Sequence, residues 1–155
     1  MEPKGIRNNN PLNIRKGKNP WVGEISSPQG EVGRGLFCQF STMQDGWRAA
    51  FLLLKKYMNA YKLRTVAQII RRWAPPTENN TEAYIRSVCE RSHIDRNEEL
   101  SFYDRDRMMA LASAMCVQEN GPGYDPESNA DWRYAQLNGY IRAFNSTQWG
   151  ERALP

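Results

Sequence analysis

The sequence predicts a mainly α-helical domain, α+β only through one small β-hairpin. Three observations lead there. Apolar residues recur at helical spacing in five stretches after residue 42, capping residues stand at the start of most of them, and Pro or Gly closes several. With 155 residues, the chain is long enough for a single core. One domain over residues 1–145 is expected, followed by a patternless tail over 146–155.

Residues 1–36 show no helical period and are rich in Gly, Pro and Asn. Trp21–Glu24 and Phe37–Phe40 flank a segment with glycines at 30, 33 and 35, which suggests a hairpin with a loose tip. The first long helix spans about 43–60, opened by a Thr42/Asp45 capping box, with Trp47, Ala50, Phe51, Leu54, Met58 and Tyr61 on one face. It is expected to be central in the core. Thr65 and Gln68 open the next helix, which the two prolines after Ala74 stop. A third helix runs from about Thr81 to Arg91. Ser101 and Asp104 open a fourth, over about 104–118, and Ser128 and Asp131 a last one bearing Trp132, Leu137, Tyr140, Ile141 and Phe144.

The fourth helix holds the most informative carboxylate. Met108, Leu111, Ala112 and Met115 form an apolar stripe whose next position is Glu119, and Asn120-Gly121-Pro122 stops the helix at once. Gly121 suits the left-handed terminating position. A glutamate in such a last turn is disfavoured as an anion by burial and by the negative end of the helix dipole. A carboxyl kept neutral near pH 7 is what a general acid needs.

Composition limits the other classes. The formal charge of +4 suits an anionic partner and is too mild to choose one. Cys38, Cys89 and Cys116 are odd in number, two of them within helices, and read as reduced, buried thiols. The lone His93 has no partner at ligand spacing, so no metal and no cofactor is expected. No stretch reaches spanning length and no charged-then-apolar leader opens the chain, so neither membrane insertion nor a signal peptide is expected. Action outside the cytoplasm would need another route of export.

Several motifs occur together. Gly5-Ile6-Arg7-Asn8-Asn9-Asn10-Pro11-x-Asn13-Ile14 opens the set, followed by Trp21-x-Gly23, Phe37-x-x-Phe40, Gly46-x-Arg48-Ala49, Leu53-Leu54 and Tyr57. Trp73-Ala74-Pro75-Pro76-x-Glu78-Asn79-x-Thr81-x-x-Tyr84 and Gln118-Glu119-Asn120-Gly121 complete it. In this combination the chain, over roughly residues 5–121, resembles the lysozyme-like muralytic proteins of bacteriophages, prophages and mobile elements, often labelled virion structural or lysis proteins. The resemblance implies a lysozyme-like fold and cleavage of peptidoglycan glycan strands. In that superfamily the acid is a glutamate at a helix end, commonly followed by a small residue and Gly, to which Glu119-Asn120-Gly121 is similar. In related glucosaminidases the glutamate helix precedes an Asn-Asn loop. Here it follows one, so the order is circularly permuted, and Glu78 stands as a rival acid.

Two mechanisms remain open. A hydrolase uses two carboxylates, about 5–5.5 Å apart for retention and roughly 6.5–9.5 Å for inversion. Glu24 or Glu31 on the hairpin, or Glu78, would then join Glu119. A lytic transglycosylase uses one glutamate as acid and then as base, and the single carboxylate on an apolar stripe favours it. Tyr84 and Asn79 are candidates for orienting the sugar, although a packed aromatic and a helix cap are equally good accounts of them. Asn9 and Asn10 match the amides of N-acetyl groups. Trp21 and Trp73 could stack on sugars, Trp73 being the more core-like, and Glu24 completes the substrate-binding set. A monomer acting on the cell wall is the expected state. The competing class is a binding module, either a virion or wall protein without catalysis or a nucleic-acid binder through Arg7 and Arg15-Lys16-x-Lys18. No recognisable nucleic-acid motif accompanies that small excess charge, so nucleic acid is not expected as a partner.

Overall fold

The computed structural model describes residues 1–25 and 36–146. Within them the chain is mainly α. The helices are α1 (Lys4–Arg7), α2 (Met43–Lys55), α3 (Val66–Trp73), α4 (Thr81–Ser92), α5 (Arg105–Asn120) and α6 (Ala130–Asn145). A π-helical turn, Lys56–Ala60, prolongs α2, and two 3-10 turns, Pro122–Tyr124 and Pro126–Ser128, join α5 to α6. One turn long, α1 is too short to show a period in the sequence. None of these helices is long and apolar enough to cross a membrane.

The caps of α2 and α3 are as expected: Thr42 accepts from the Asp45 N–H and Thr65 from that of Gln68. Two others move. Asp104, not Ser101, caps α5 by accepting from the Arg107 N–H, while the Ser101 hydroxyl accepts from Tyr103 in the turn before it. Asn129, not Ser128, caps α6, and the Ser128 hydroxyl donates to the Asp125 carbonyl. Both serines sit in tight turns that use their hydroxyls locally.

Helix α2 is central in the core as expected, with Trp47, Ala49, Ala50, Phe51, Leu52 and Leu54 buried, and α5 is enclosed alongside it. Met108, Leu111, Ala112 and Met115 are buried as the stripe predicts, and so are Met109, Ser113, Ala114, Cys116 and Val117. Helix α4 packs on α5, and α6 packs on α2. The α6 interface differs from the expected one, since Ile141 and Phe144 are 48 % and 41 % exposed. Its contact face is Ala135, Gly139, Tyr140 and Ala143. A Cβ at Gly139 would run into Trp47 and the Arg48 backbone, so this glycine sets how closely the two helices approach. Lys55 then closes the end of α6, donating from Nζ to the carbonyls of Ala143, Phe144 and Ser146. Residues 147–155, most of the expected tail, lie outside the described residues.

Among the described residues the expected hairpin is reduced to a stitched loop, in which segments 21–25 and 37–40 still pair antiparallel. Segment 37–40 meets two partners through isolated antiparallel bridges, Arg15 with Phe37 and Glu24 with Phe40. The Asn10 side chain takes the place of a ladder: its amide donates to the carbonyls of Ile14 and Cys38, and its oxygen accepts from the Ile14 N–H, at 2.9 Å each. The hairpin tip, with Glu31 and the glycines at 30, 33 and 35, lies outside the described residues.

Candidate active site

The side chain of Glu119 emerges half-buried where α5 leaves the core. Its N–H···O=C ladder ends at Gly121, whose φ of 110° and ψ of 163° are open to glycine but are not the left-handed helical pair expected there. Two side chains hold the carboxylate. Asn13 donates from Nδ2 to Oε1 at 2.9 Å, and the Tyr84 hydroxyl donates to Oε2 at 2.8 Å. Tyr84 is 5 % exposed, so its bond to the carboxylate is shielded from water.

The surroundings of Glu119 pull in opposite directions. Burial raises its pKa above the ordinary glutamate value, and this prevails over the lowering effects of the Asn13 and Tyr84 hydrogen bonds and the nearby charges of Lys4 and Arg15. The group is thereby biased towards the acid form while keeping donors in place for the carboxylate. Tyr84 itself is pushed well above the usual phenol range by burial and by the Glu119 charge, so its hydroxyl keeps its proton. The Cys38 and Cys116 thiols are both pushed up to about 12, mainly by burial, which leaves neither as a thiolate nucleophile. All three cysteines are free, two buried and Cys89 half-buried.

Glu119 opens into a cleft of about 190 Å³ whose other walls include Lys4, Asn13, Arg15, Trp73, Glu78 and Asn79. The sequence motif after Trp73 builds one wall. Glu78 N–H bonds the Pro75 carbonyl, the Asn79 amide donates to the same carbonyl, and the Thr81 hydroxyl donates to the Ala74 carbonyl at 2.6 Å. Asn80, not Asn79, caps α4. The turn so formed presents Glu78 to the cleft with Arg15 3.4 Å away. Trp73, expected to be the more core-like tryptophan, is half-buried and lines the cleft.

Four expected binding residues are structural instead. Asn10 is fully buried and all its polar atoms serve the backbone. Asn9 spends its amide on the Phe40 carbonyl, and its own carbonyl lies against Gly46, where a Cβ would collide with it. Trp21 is 4 % exposed, a core residue with no face for a sugar. Glu24 accepts from the Trp21 N–H and from Lys16 Nζ, both at 3.0 Å, and pins the loop. Each belongs to the stitching of segments 8–25 and 37–40, which consumes polar groups that the sequence alone leaves unassigned.

Asn13 is a site residue that the sequence alone does not mark. It adopts φ of 53°, a conformation Asn tolerates, and this turns its amide towards Glu119. Gly5 makes room, because a Cβ there would strike the Asn120 amide oxygen and the Asn10 carbonyl and crowd the Asn13 amide oxygen. The asparagine three residues after the N-N-N run was the available signal.

No family model matches the chain. Over 121 residues it is 39 % identical to Protein P5 of Pseudoalteromonas phage PM2, an overlap of 76 % of this chain and 71 % of that protein. At that identity and coverage, the chain belongs to the family of Protein P5 of Pseudoalteromonas phage PM2.

Proposed function

We propose that the protein cleaves the glycan strand of peptidoglycan as a lytic transglycosylase, in a circularly permuted lysozyme-like fold, with Glu119 as the general acid and base. The observation that carries this reading is a single carboxyl at a helix end, raised in pKa by burial and gripped by Asn13 and Tyr84 on the floor of a cleft. In the first step Glu119 gives its proton to the glycosidic oxygen as the bond to the anomeric carbon breaks. The resulting carboxylate is held by the same two donors, with Lys4 and Arg15 nearby. It then takes the proton of the muramyl 6-hydroxyl, whose oxygen closes onto the anomeric carbon. Protons balance, and no water enters. The place of action is the cell wall, reached from the periplasm or with a virion.

A hydrolytic variant is favoured by one observation: Glu78 lines the same cleft, beside Arg15. There it would serve as the second carboxylate. Mass spectrometry of products from purified peptidoglycan separates the two. Anhydromuramyl ends from the wild type, lost with Glu119→Gln and kept with Glu78→Gln, are expected. Reducing ends would mean hydrolysis. Loss with Glu78→Gln alone would move the acid to that residue, and no soluble product from wild type would leave a wall-binding module.

Tyr84→Phe gives a further expectation. The hydroxyl lowers the Glu119 pKa, so removing it raises that pKa, and the alkaline limb of the kcat/KM profile moves to higher pH. The rate at the optimum falls about tenfold as the carboxyl loses one of its two holds. An unmoved limb would show that Glu119 is not the group being titrated.

A further inference from the structure

A separate cavity of about 100 Å³ lies on the far side of α5 from Glu119 and shares no lining residue with the cleft described above. Ala110, Ser113, Ala114 and Val117 recur at helical spacing along its floor. Val117 and Glu119 leave the helix about 200° apart, so α5 itself stands between the two sites. The end of α4 gives one wall, with Arg91 and His93, and the connection between α5 and α6 gives the other, with Asp125 and Glu127.

The walls carry opposite charges that do not meet. Among the described residues neither the Arg91 nor the His93 side chain holds an ion pair or hydrogen bond. His93 ends α4 in the left-handed conformation, φ 57° and ψ 35°, uncommon for a residue with a side chain, and its ring lines the cavity. On the facing wall, Glu127 is held by Arg133 at 3.1 Å. Asp125 Oδ1 accepts from the Glu127 N–H at 2.9 Å, a turn that fixes the carboxylate and leaves Oδ2 open. The floor adds a donor. Ser113 is 4 % exposed, and its hydroxyl oxygen accepts from Gln136 Nε2 at 2.9 Å, which leaves the hydroxyl proton to give. Gln136 is fully buried and donates to the Met109 carbonyl as well, so this hydroxyl is held from behind.

We infer that this cavity binds the zwitterionic head of an amino acid, with the ammonium at Asp125 and the carboxylate at Arg91, His93 and the Ser113 hydroxyl. A ligand of one charge would meet its own sign on one wall, whereas a zwitterion completes both. The volume is several times what one water needs, which admits the head group and leaves a side chain or peptide outside. Two sources carry this chemistry: a free amino acid, and a stem peptide of the wall whose diamino acid keeps its second centre uncrosslinked. The inference goes beyond the cleavage reading and draws on it only for the second source.

The test reads His93, the only histidine of the chain, whose ring signals in proton NMR spectra are therefore unambiguous. Titrating the full-length protein with alanine at constant pH and ionic strength is expected to move those signals saturably. N-acetylalanine keeps only the carboxylate and alaninamide only the ammonium, and each is expected to bind at least about tenfold more weakly. Asp125→Asn retains an oxygen to accept from the Glu127 N–H, so the turn survives. Both Asp125→Asn and Arg91→Ala are expected to weaken alanine about tenfold, and Arg105→Ala, paired with Asp106 on the surface, to leave it unchanged. A stem tripeptide ending in diaminopimelate that binds as alanine does would place the source in the wall, and binding of alanine alone would place it in solution. No saturable shift with either zwitterion, equal affinity for the blocked compounds, or both variants binding alanine as tightly as wild type would overturn the inference. A wild type that releases no products from peptidoglycan, with Asp125-dependent binding intact, would sink the cleavage reading and leave this site standing.

Discussion

Glu119→Gln is expected to abolish strand cleavage and at the same time raise the melting temperature at neutral pH. The loss in rate should be about 10³-fold, within the range that a positioned general acid supplies. The gain in stability follows from the direction of the pKa shift. Burial raises the folded-state pKa above the ordinary value near 4.5, so the ionised form present at higher pH is a cost to the native state. That cost is absent below the unfolded value and grows as pH rises through the folded one. Gln carries no charge and escapes it, while its oxygen still accepts from Asn13. The melting temperature should therefore rise by about 2–4 °C for each kcal/mol relieved, and the advantage should vanish on acidification below pH of about 4.5. Thermal melts of both proteins from acid to neutral pH check this. An advantage that stays constant with pH would mean that Glu119 is not held in an anion-disfavouring site.

Asn10→Ala is expected to lower stability by about 2–4 kcal/mol, since it strands the buried Ile14 N–H and Cys38 carbonyl at about 1–3 kcal/mol each, partly relieved by relaxation, while the Ile14 carbonyl keeps the Cys38 N–H. The melting temperature should fall by about 10 °C. Asn10→Asp should do nearly as much harm, because a carboxylate cannot donate to the Ile14 and Cys38 carbonyls. Protein that remains folded at low temperature should keep the affinity of the wild type for glycan, since this amide reaches no cleft. Denaturant titration with a parallel binding measurement separates the two. Lost affinity with unchanged stability would return Asn10 to the binding set.

What could be read from the sequence was local. Helical periodicity with Thr42 and Thr65 as caps located α2 and α3, and the stripe ending at Glu119 with its N-G-P stop located a carboxyl at the end of α5. The W-A-P-P-x-E-N-x-T motif located a turn beside a cleft, because proline stops and side-chain caps act within a few residues of themselves. Partner choice was not local. Asn9, Asn10, Asn13, Trp21 and Glu24 lie in one polar, aromatic region and were chemically eligible for the same sugar. Contacts up to 106 residues apart in sequence decided which of them serve the backbone and which one, Asn13, reaches Glu119. The same holds for the two tryptophans, one enclosed by the stitched loop and the other left on a cleft wall. Tertiary structure alone settled these assignments, because a hydrogen-bonding group can be spent only once and the sequence does not record which neighbour arrives first.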